Sequence, residues 1–166
     1  CLARLREELA GLPAAADPEK IAKLPYLSAV CDETLRRYPL APAPSPRKLL
    51  RPLTVGAYTL PAGVGVVAAI GVAHFRAQAY PEPLVFRPER FLERMPSPFE
   101  FLPYGGGARR CLGAALASYE MKLVLATLLR RFVLRLASDK PEQASVRTVN
   151  VGPKRGVRMV VEARVA

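Results

Sequence analysis

Apolar residues recur at helical spacing in three stretches of the chain. Leu2, Leu5 and Leu9 mark a helix over residues 2–10, closed by Gly11 and Pro13. The polar, Ala-rich run that follows, up to Lys23, reads as a surface connector. Leu27, Val30, Cys31, Thr34, Leu35 and Tyr38 form one apolar side of a second helix over residues 24–38; Pro25 suits its first turn and Pro39 ends it. Leu112, Leu116, Tyr119, Leu123, Val124, Leu128 and Phe132 predict a long helix from Leu112 to Leu136. Between the helices, Pro39, Pro42, Pro44 and Pro46 forbid helix and favour an extended track. Residues 49–60 and 64–72 read as strands with Pro61-Ala62-Gly63 as the turn. Residues 74–103 are proline-rich and nearly aperiodic, a meander that needs specific contacts to hold one shape. Residues 104–113 are a glycine-rich loop, and residues 145–163 alternate as short strands around Gly152-Pro153. The pattern gives a fold that is mainly α with a smaller β part, in a single unit over residues 1–166.

Composition narrows this. At 51% hydrophobic and 23% charged the chain is neither disordered nor fibrous. Residues 52–73 carry no charge, a length that could span a bilayer, but their glycines, Pro61 and β-branched residues read as strands. No membrane span is expected, and Arg4, Arg6, Glu7 and Glu8 leave no signal peptide at the start. The opening helix has no cap residue before it and reads as cut from something longer. Cys1, Cys31 and Cys111 form no CxxC pair, which excludes a disulfide scaffold and the usual zinc spacings and fits a reducing, cytoplasmic setting. The net charge is +11; residues 101–166 hold 12 of the 25 Lys+Arg but only 4 of the 14 Asp+Glu, an excess of +8. That excess suggests an anionic partner, nucleic acid among them.

The densest chemistry lies in Phe101-Leu102-Pro103-Tyr104-Gly105-Gly106-Gly107-Ala108-Arg109-Arg110-Cys111-Leu112-Gly113. Cys111 opens a long helix behind two arginines, a setting that favours a thiolate, and the glycines let backbone and a flat ligand approach. Such a thiolate is a metal ligand or a nucleophile; the nucleophile reading lacks partners, since His74 is the only histidine. Glu33 and Arg36 are spaced to pair on one helix face, and Pro88-Glu89-Arg90-Phe91 offers a second arginine to Glu33. Cys31, on the apolar side of that helix, reads as core.

In this order, the Glu33-x-x-Arg36 helix, the Pro88-Glu89-Arg90-Phe91 meander and the glycine-rich Cys loop resemble the C-terminal part of a cytochrome P-450, the haem-thiolate monooxygenases. The likeness covers essentially the whole chain and implies the C-terminal portion of that fold, an incomplete domain. It implies haem b (iron protoporphyrin IX) as cofactor, with Cys111 as the axial iron ligand, a thiolate that pushes electron density onto iron. Arg109 and Arg47 would meet the propionates, Gly107 and Gly113 would pack closely in the loop and Tyr104 would lie near the sulfur; His74 reads as a satisfied structural histidine or one on the propionate side, not an iron ligand. Glu33, Arg36 and Arg90 match the structural triad. Ala41, Pro42 and Ala43, with Val149, Asn150 and Val151, match two segments that line the substrate pocket. The implied partners are a small apolar organic substrate and an electron-donor protein of ferredoxin or flavin reductase type, met on a basic Cys-side face of Arg110, Lys122, Arg130 and Arg131.

The chain departs from the family at three points. Tyr104 stands where Phe is usual, so its hydroxyl needs a partner. Ala108 stands where Pro is common. The oxygen-activating Ala/Gly-Gly-x-Asp/Glu-Thr segment is absent, and family members are more than twice this length. The expected function is therefore a haem-thiolate monooxygenase fragment, inactive alone, whose parent inserts one O₂ oxygen atom into substrate. The alternatives are a non-catalytic haem-binding remnant, or a basic nucleic-acid-binding module.

Overall fold

The computed structural model describes residues 1–165. Helix α1 (Leu2–Ala10) places Leu5 and Leu9 inward, as their spacing requires. The expected connector instead holds a short helix, α2 (Pro18–Ala22). Asp17 caps it by accepting a hydrogen bond from the Glu19 N–H at 2.9 Å, Pro18 starts it, and Ile21 is buried. Cap, proline and one apolar anchor are enough for a single turn that a periodicity reading passes over.

Helix α3 (Pro25–Arg37) is the centre of the molecule. Tyr26, Leu27, Ala29, Val30 and Cys31 are buried on it, and so are Glu33 and Arg36 near its C-terminal end. Its N-terminal Leu24 offers no side-chain cap; Glu8 of α1 supplies one, accepting from the Tyr26 N–H at 2.7 Å and the Leu27 N–H at 2.8 Å. Leu5, Leu9, Ile21, Tyr26, Leu27, Val30 and Cys31 form one apolar cluster, which Ala126 of the last helix, α6 (Ala114–Arg131), completes.

Among the described residues the β part is four separate two-stranded antiparallel sheets. Residues 49–60, expected as one strand, fold into a hairpin of β2 (Leu53–Val55) and β3 (Tyr58–Leu60) about Gly56, whose φ of 58° suits glycine. Outside it β1 (Arg47–Lys48) pairs with β4 (Gly65–Val66). The strand expected to run to residue 72 stops at Val66, and Ile70–His74 is a helical turn, α4, that buries Ile70 and His74. A second short helix, α5 (Arg90–Glu93), punctuates the meander.

The long C-terminal helix is also shorter than expected. It ends at Arg131, and Phe132–Leu136 is strand β5 paired with β8 (Met159–Arg164). Strands β6 (Ala144–Arg147) and β7 (Asn150–Pro153) reverse at Thr148-Val149, with Thr148 at φ 62°, so Gly152-Pro153 lies inside a strand and not at the turn.

Candidate functional site

Glu33 and its arginines hold the meander in place. Arg36 donates to both Glu33 carboxylate oxygens, Nε to Oε2 at 2.7 Å and Nη2 to Oε1 at 2.9 Å, with both side chains fully buried. Arg90 Nε reaches the same carboxylate at 3.2 Å, and the Arg87 backbone N–H donates to Oε1 at 2.9 Å. The remaining guanidinium donors bind meander carbonyls. Arg36 reaches those of His74 (2.8 Å) and Pro83 (2.9 Å); Arg90 reaches those of Pro81 (3.0 Å) and Val85 (3.2 Å). An irregular segment whose carbonyls are held by buried guanidinium groups keeps one shape without a ladder of its own.

The Cys loop lies beyond this anchor. Its backbone closes through the Cys111 N–H donating to the Tyr104 carbonyl at 2.9 Å and the Gly105 N–H to the Leu102 carbonyl at 2.9 Å. A single 3₁₀ turn, Gly107–Arg109, lies between. Gly105 (φ 74°) and Gly107 (φ 63°) adopt backbone that other residues resist. A Cβ on Gly107 would meet nothing within 4 Å, and one on Gly113 would touch only Cys111 Sγ at 3.9 Å. The space over the loop is therefore open on this chain's side, and the Cys111 thiol is exposed in it. The Tyr104 hydroxyl has its partner, Ser118 Oγ on the opening turns of α6 at 3.1 Å. Ser118 was missed in the sequence, where only the need of a loop phenol for a partner pointed to it.

His74 is not where a cofactor could touch it. It is fully buried, its ring stacked edge-on to Tyr80 and tilted against Phe101 at 5.7 Å. Burial lowers its pKa to about 4, offset in part by the Arg36 backbone and reinforced by the Arg36 charge. Of the two placements the sequence left open, the structural one fits this burial and the propionate-side one does not. Burial likewise pushes the Cys31 thiol up to about 11, the Tyr80 phenol up to about 12 and the Asp32 carboxyl up to about 6, the last opposed by Lys122.

Arg109 and Arg47 are both exposed; Arg47 leans on its own track, Nη1 on the Ser45 carbonyl at 3.3 Å. The two expected pocket segments meet, the Val151 N–H donating to the Leu40 carbonyl at 2.7 Å, with Ala41, Pro42 and Ala43 following Leu40 and with Val149 and Asn150 beside the contact. Of the expected basic face, Lys122 is turned inward, its Nζ donating to the Ala22 carbonyl at 3.0 Å, and Arg130 binds the Pro13 carbonyl. Arg110 and Arg131 are exposed.

The donor chemistry narrows what Cys111 could hold. A bare metal ion needs three or four protein ligands, and among the described residues no group of three or more His, Cys, Asp or Glu could supply them. A single exposed thiol fits a metal that arrives with its other ligands in place, inside a flat organic ring. Leu112, next to the thiol, is 101% exposed, and Leu116 is 63% exposed one turn on, an apolar surface suited to such a ring. The residues present fit haem.

Comparison with known proteins agrees with this geometry. The family model described as Cytochrome P450 matches residues 2–157. The chain is 44% identical over 156 residues to cytochrome P450 135B1 of Mycobacterium tuberculosis, covering 94% of this chain and 32% of that protein. To cytochrome P450 137 of the same organism it is 40% identical over 134 residues, covering 81% of this chain and 28% of that protein. Among solved structures it is similar to retinoic acid-bound cyanobacterial CYP120A1, with a TM-score of 0.89, 30% identity, and coverage of 99% of this chain and 38% of that one. CYP102L1 gives a TM-score of 0.85 at 30% identity, covering 99% and 39%. The chain thus spans about a third of the length of the curated relatives it matches.

Proposed function

The chain belongs to the cytochrome P450 family, and from that membership we propose that it is the thiolate-side part of a monooxygenase that uses O₂ and electrons from a donor protein to oxidise an apolar organic substrate. The observation that carries this reading is Cys111, exposed at a loop whose closure is anchored back to a buried Glu33–Arg36–Arg90 cluster. Haem b, when bound, supplies the redox-active iron that handles O₂. Cys111 would give its thiolate to that iron. Arg109 and Arg47, exposed and permanently charged, would hold the propionates, and Leu112 and Leu116 would cover the ring's apolar surface.

Leu40 to Ala43 and Val149 to Val151, joined by one backbone hydrogen bond, would form one wall of the substrate pocket. The small apolar side chains of Ala41, Pro42, Ala43, Val149 and Val151 select an apolar substrate by shape. Arg110 and Arg131 would offer the exposed positive charge that an acidic electron donor docks against, and charge of this kind steers encounter. The site would be cytoplasmic, where the thiolate stays reduced.

The wall facing Cys111 would come from chain of the kind that makes up the rest of the relatives' length. Leu112, just before α6, and Leu116, Val124 and Leu128 on it are exposed, and each such side chain left in water forgoes about 1.5–3 kcal/mol. Residues 1–166 alone would therefore associate and would not turn over. The test is donor-driven product formation across a panel of apolar substrates. It compares residues 1–166 alone with the same residues joined behind the first two-thirds of cytochrome P450 135B1. Silence alone and turnover when joined is the expected result. Turnover by residues 1–166 alone would overturn the division of the site. Haem binding without turnover in the joined form would leave a non-catalytic haem-binding remnant.

A further inference from the structure

His74 stands between the buried triad and the Cys loop and is bonded to both. Its carbonyl accepts from Arg36 Nη1 at 2.8 Å, and its ring Nε2 accepts from the Leu102 N–H at 2.9 Å. Leu102 in turn accepts the Gly105 N–H through its carbonyl, and Tyr104, between them, accepts the Cys111 N–H. The path from Arg36 to the thiol-bearing residue therefore runs through one imidazole. Because Nε2 is the acceptor, the ring proton sits on Nδ1, which is buried without a protein partner. An orphaned buried N–H is costly and is kept here where it leaves the other nitrogen free to accept.

We infer that His74 is a positioning residue: as a neutral imidazole it fixes Leu102, and through it the loop that aims Cys111, relative to the Glu33–Arg36 core. Protonation of Nε2 would set N–H against N–H and release the loop at that point. The groups that act on the ring are the Arg36 backbone and guanidinium charge from α3, the Tyr80 phenol and the Phe101 ring. The Arg36 backbone favours an imidazolium only in part; burial and the Arg36 charge oppose it, and Tyr80 stays protonated, its pKa pushed up to about 12. The ring therefore holds its neutral form well below the usual histidine range, to about pH 4. The consequence for haem rests on the function proposed above; the tether itself does not, and the experiment reads the tether without haem.

The measurement is amide hydrogen exchange, expressed as protection factors, on residues 1–166 dispersed in a mild non-ionic detergent. The Leu102 and Cys111 amides report the loop. The Arg87 amide, held by Glu33 Oε1, reports the core. His74→Phe keeps ring volume and removes the acceptor; it should cost about tenfold in protection at Leu102 and Cys111 and leave Arg87 unchanged. His74→Gln, which restores an acceptor near Nε2, should recover most of it. In the unsubstituted chain, the same two amides should lose protection as pH falls towards 4 while Arg87 keeps its own. Unchanged loop protection in His74→Phe would overturn the inference. So would equal loss at Arg87, which would make His74 a mere packing residue, or failure of His74→Gln to recover the loop amides.

Discussion

Glu33 accepts four hydrogen bonds, from Arg36 twice, from Arg90 and from the Arg87 backbone, with no surface in contact with water. Removing one partner of such a cluster strands a buried charge at about 3–5 kcal/mol, a large part of the stability of a small domain. Glu33→Ala and Arg36→Ala should each give protein that no longer folds or retains haem, read by circular dichroism and by the Soret absorbance after gel filtration. A folded, haem-loaded Glu33→Ala would remove the structural role. The spacing of Glu33 and Arg36 made their pairing visible in the sequence, because a helix sets it locally. The Arg87 amide was not visible, because nothing but the path of the meander brings it there.

Asp32, one residue away, offers a pH test of opposite character. Burial raises its pKa to about 6 from an ordinary 3.8, so the folded state holds its proton more tightly than the unfolded state does. The stabilisation from the protonated form is complete below about pH 3.8 and is lost as pH rises towards 6. Asp32→Asn cannot ionise. It should therefore raise the urea midpoint at pH 7, by an amount worth about 3 kcal/mol, and leave it nearly unchanged at pH 3.5. An equal effect at both pH values would mean that Asp32 acts through packing.

At the scale of elements, α3 depends on a residue that local sequence does not announce. Leu24 cannot cap it, and Glu8 closes its first two free N–H groups from another helix. Glu8→Ala should lower stability by about 1–2 kcal/mol in urea unfolding, and Glu8→Gln, which keeps one acceptor, should lower it by less. Loss of nothing in Glu8→Ala would show that water caps α3 equally well. The α1 and α3 helices themselves were legible because each has its own apolar stripe and stop signals. Strand β5 was not. Leu128 and Phe132 keep helical spacing across the boundary, and what turns Phe132–Leu136 into a strand is its partner Met159–Arg164, with a register shift between Val133 and Leu134. The short strands expected over residues 145–163 are there as β6, β7 and β8, but the two small sheets of β1 to β4 were mislocated for the same reason: two- and three-residue strands are decided by pairing and not by propensity.

For the whole molecule, three separated stretches of sequence converge on one site. The Glu33 helix and the Arg90 meander make a buried anchor, His74 and Leu102 carry it to the loop, and the loop presents Cys111 on an open, apolar surface. The Cys loop was legible because its glycines and its thiol must be consecutive to work. The position of His74 was left open between a structural place and the propionate side, since burial and solvent-facing placement look alike in a short segment without periodicity. The central claim is that Cys111 is the thiolate that binds haem iron. It is tested most directly by the ferrous–CO difference spectrum of haem-loaded protein, with the chain joined behind the first two-thirds of cytochrome P450 135B1, recorded for Cys111 and for Cys111→Ser. The red-shifted Soret band of a trans thiolate should appear with Cys111 and vanish with Cys111→Ser, while the folded fraction stays the same. The band surviving in Cys111→Ser would contradict the assignment.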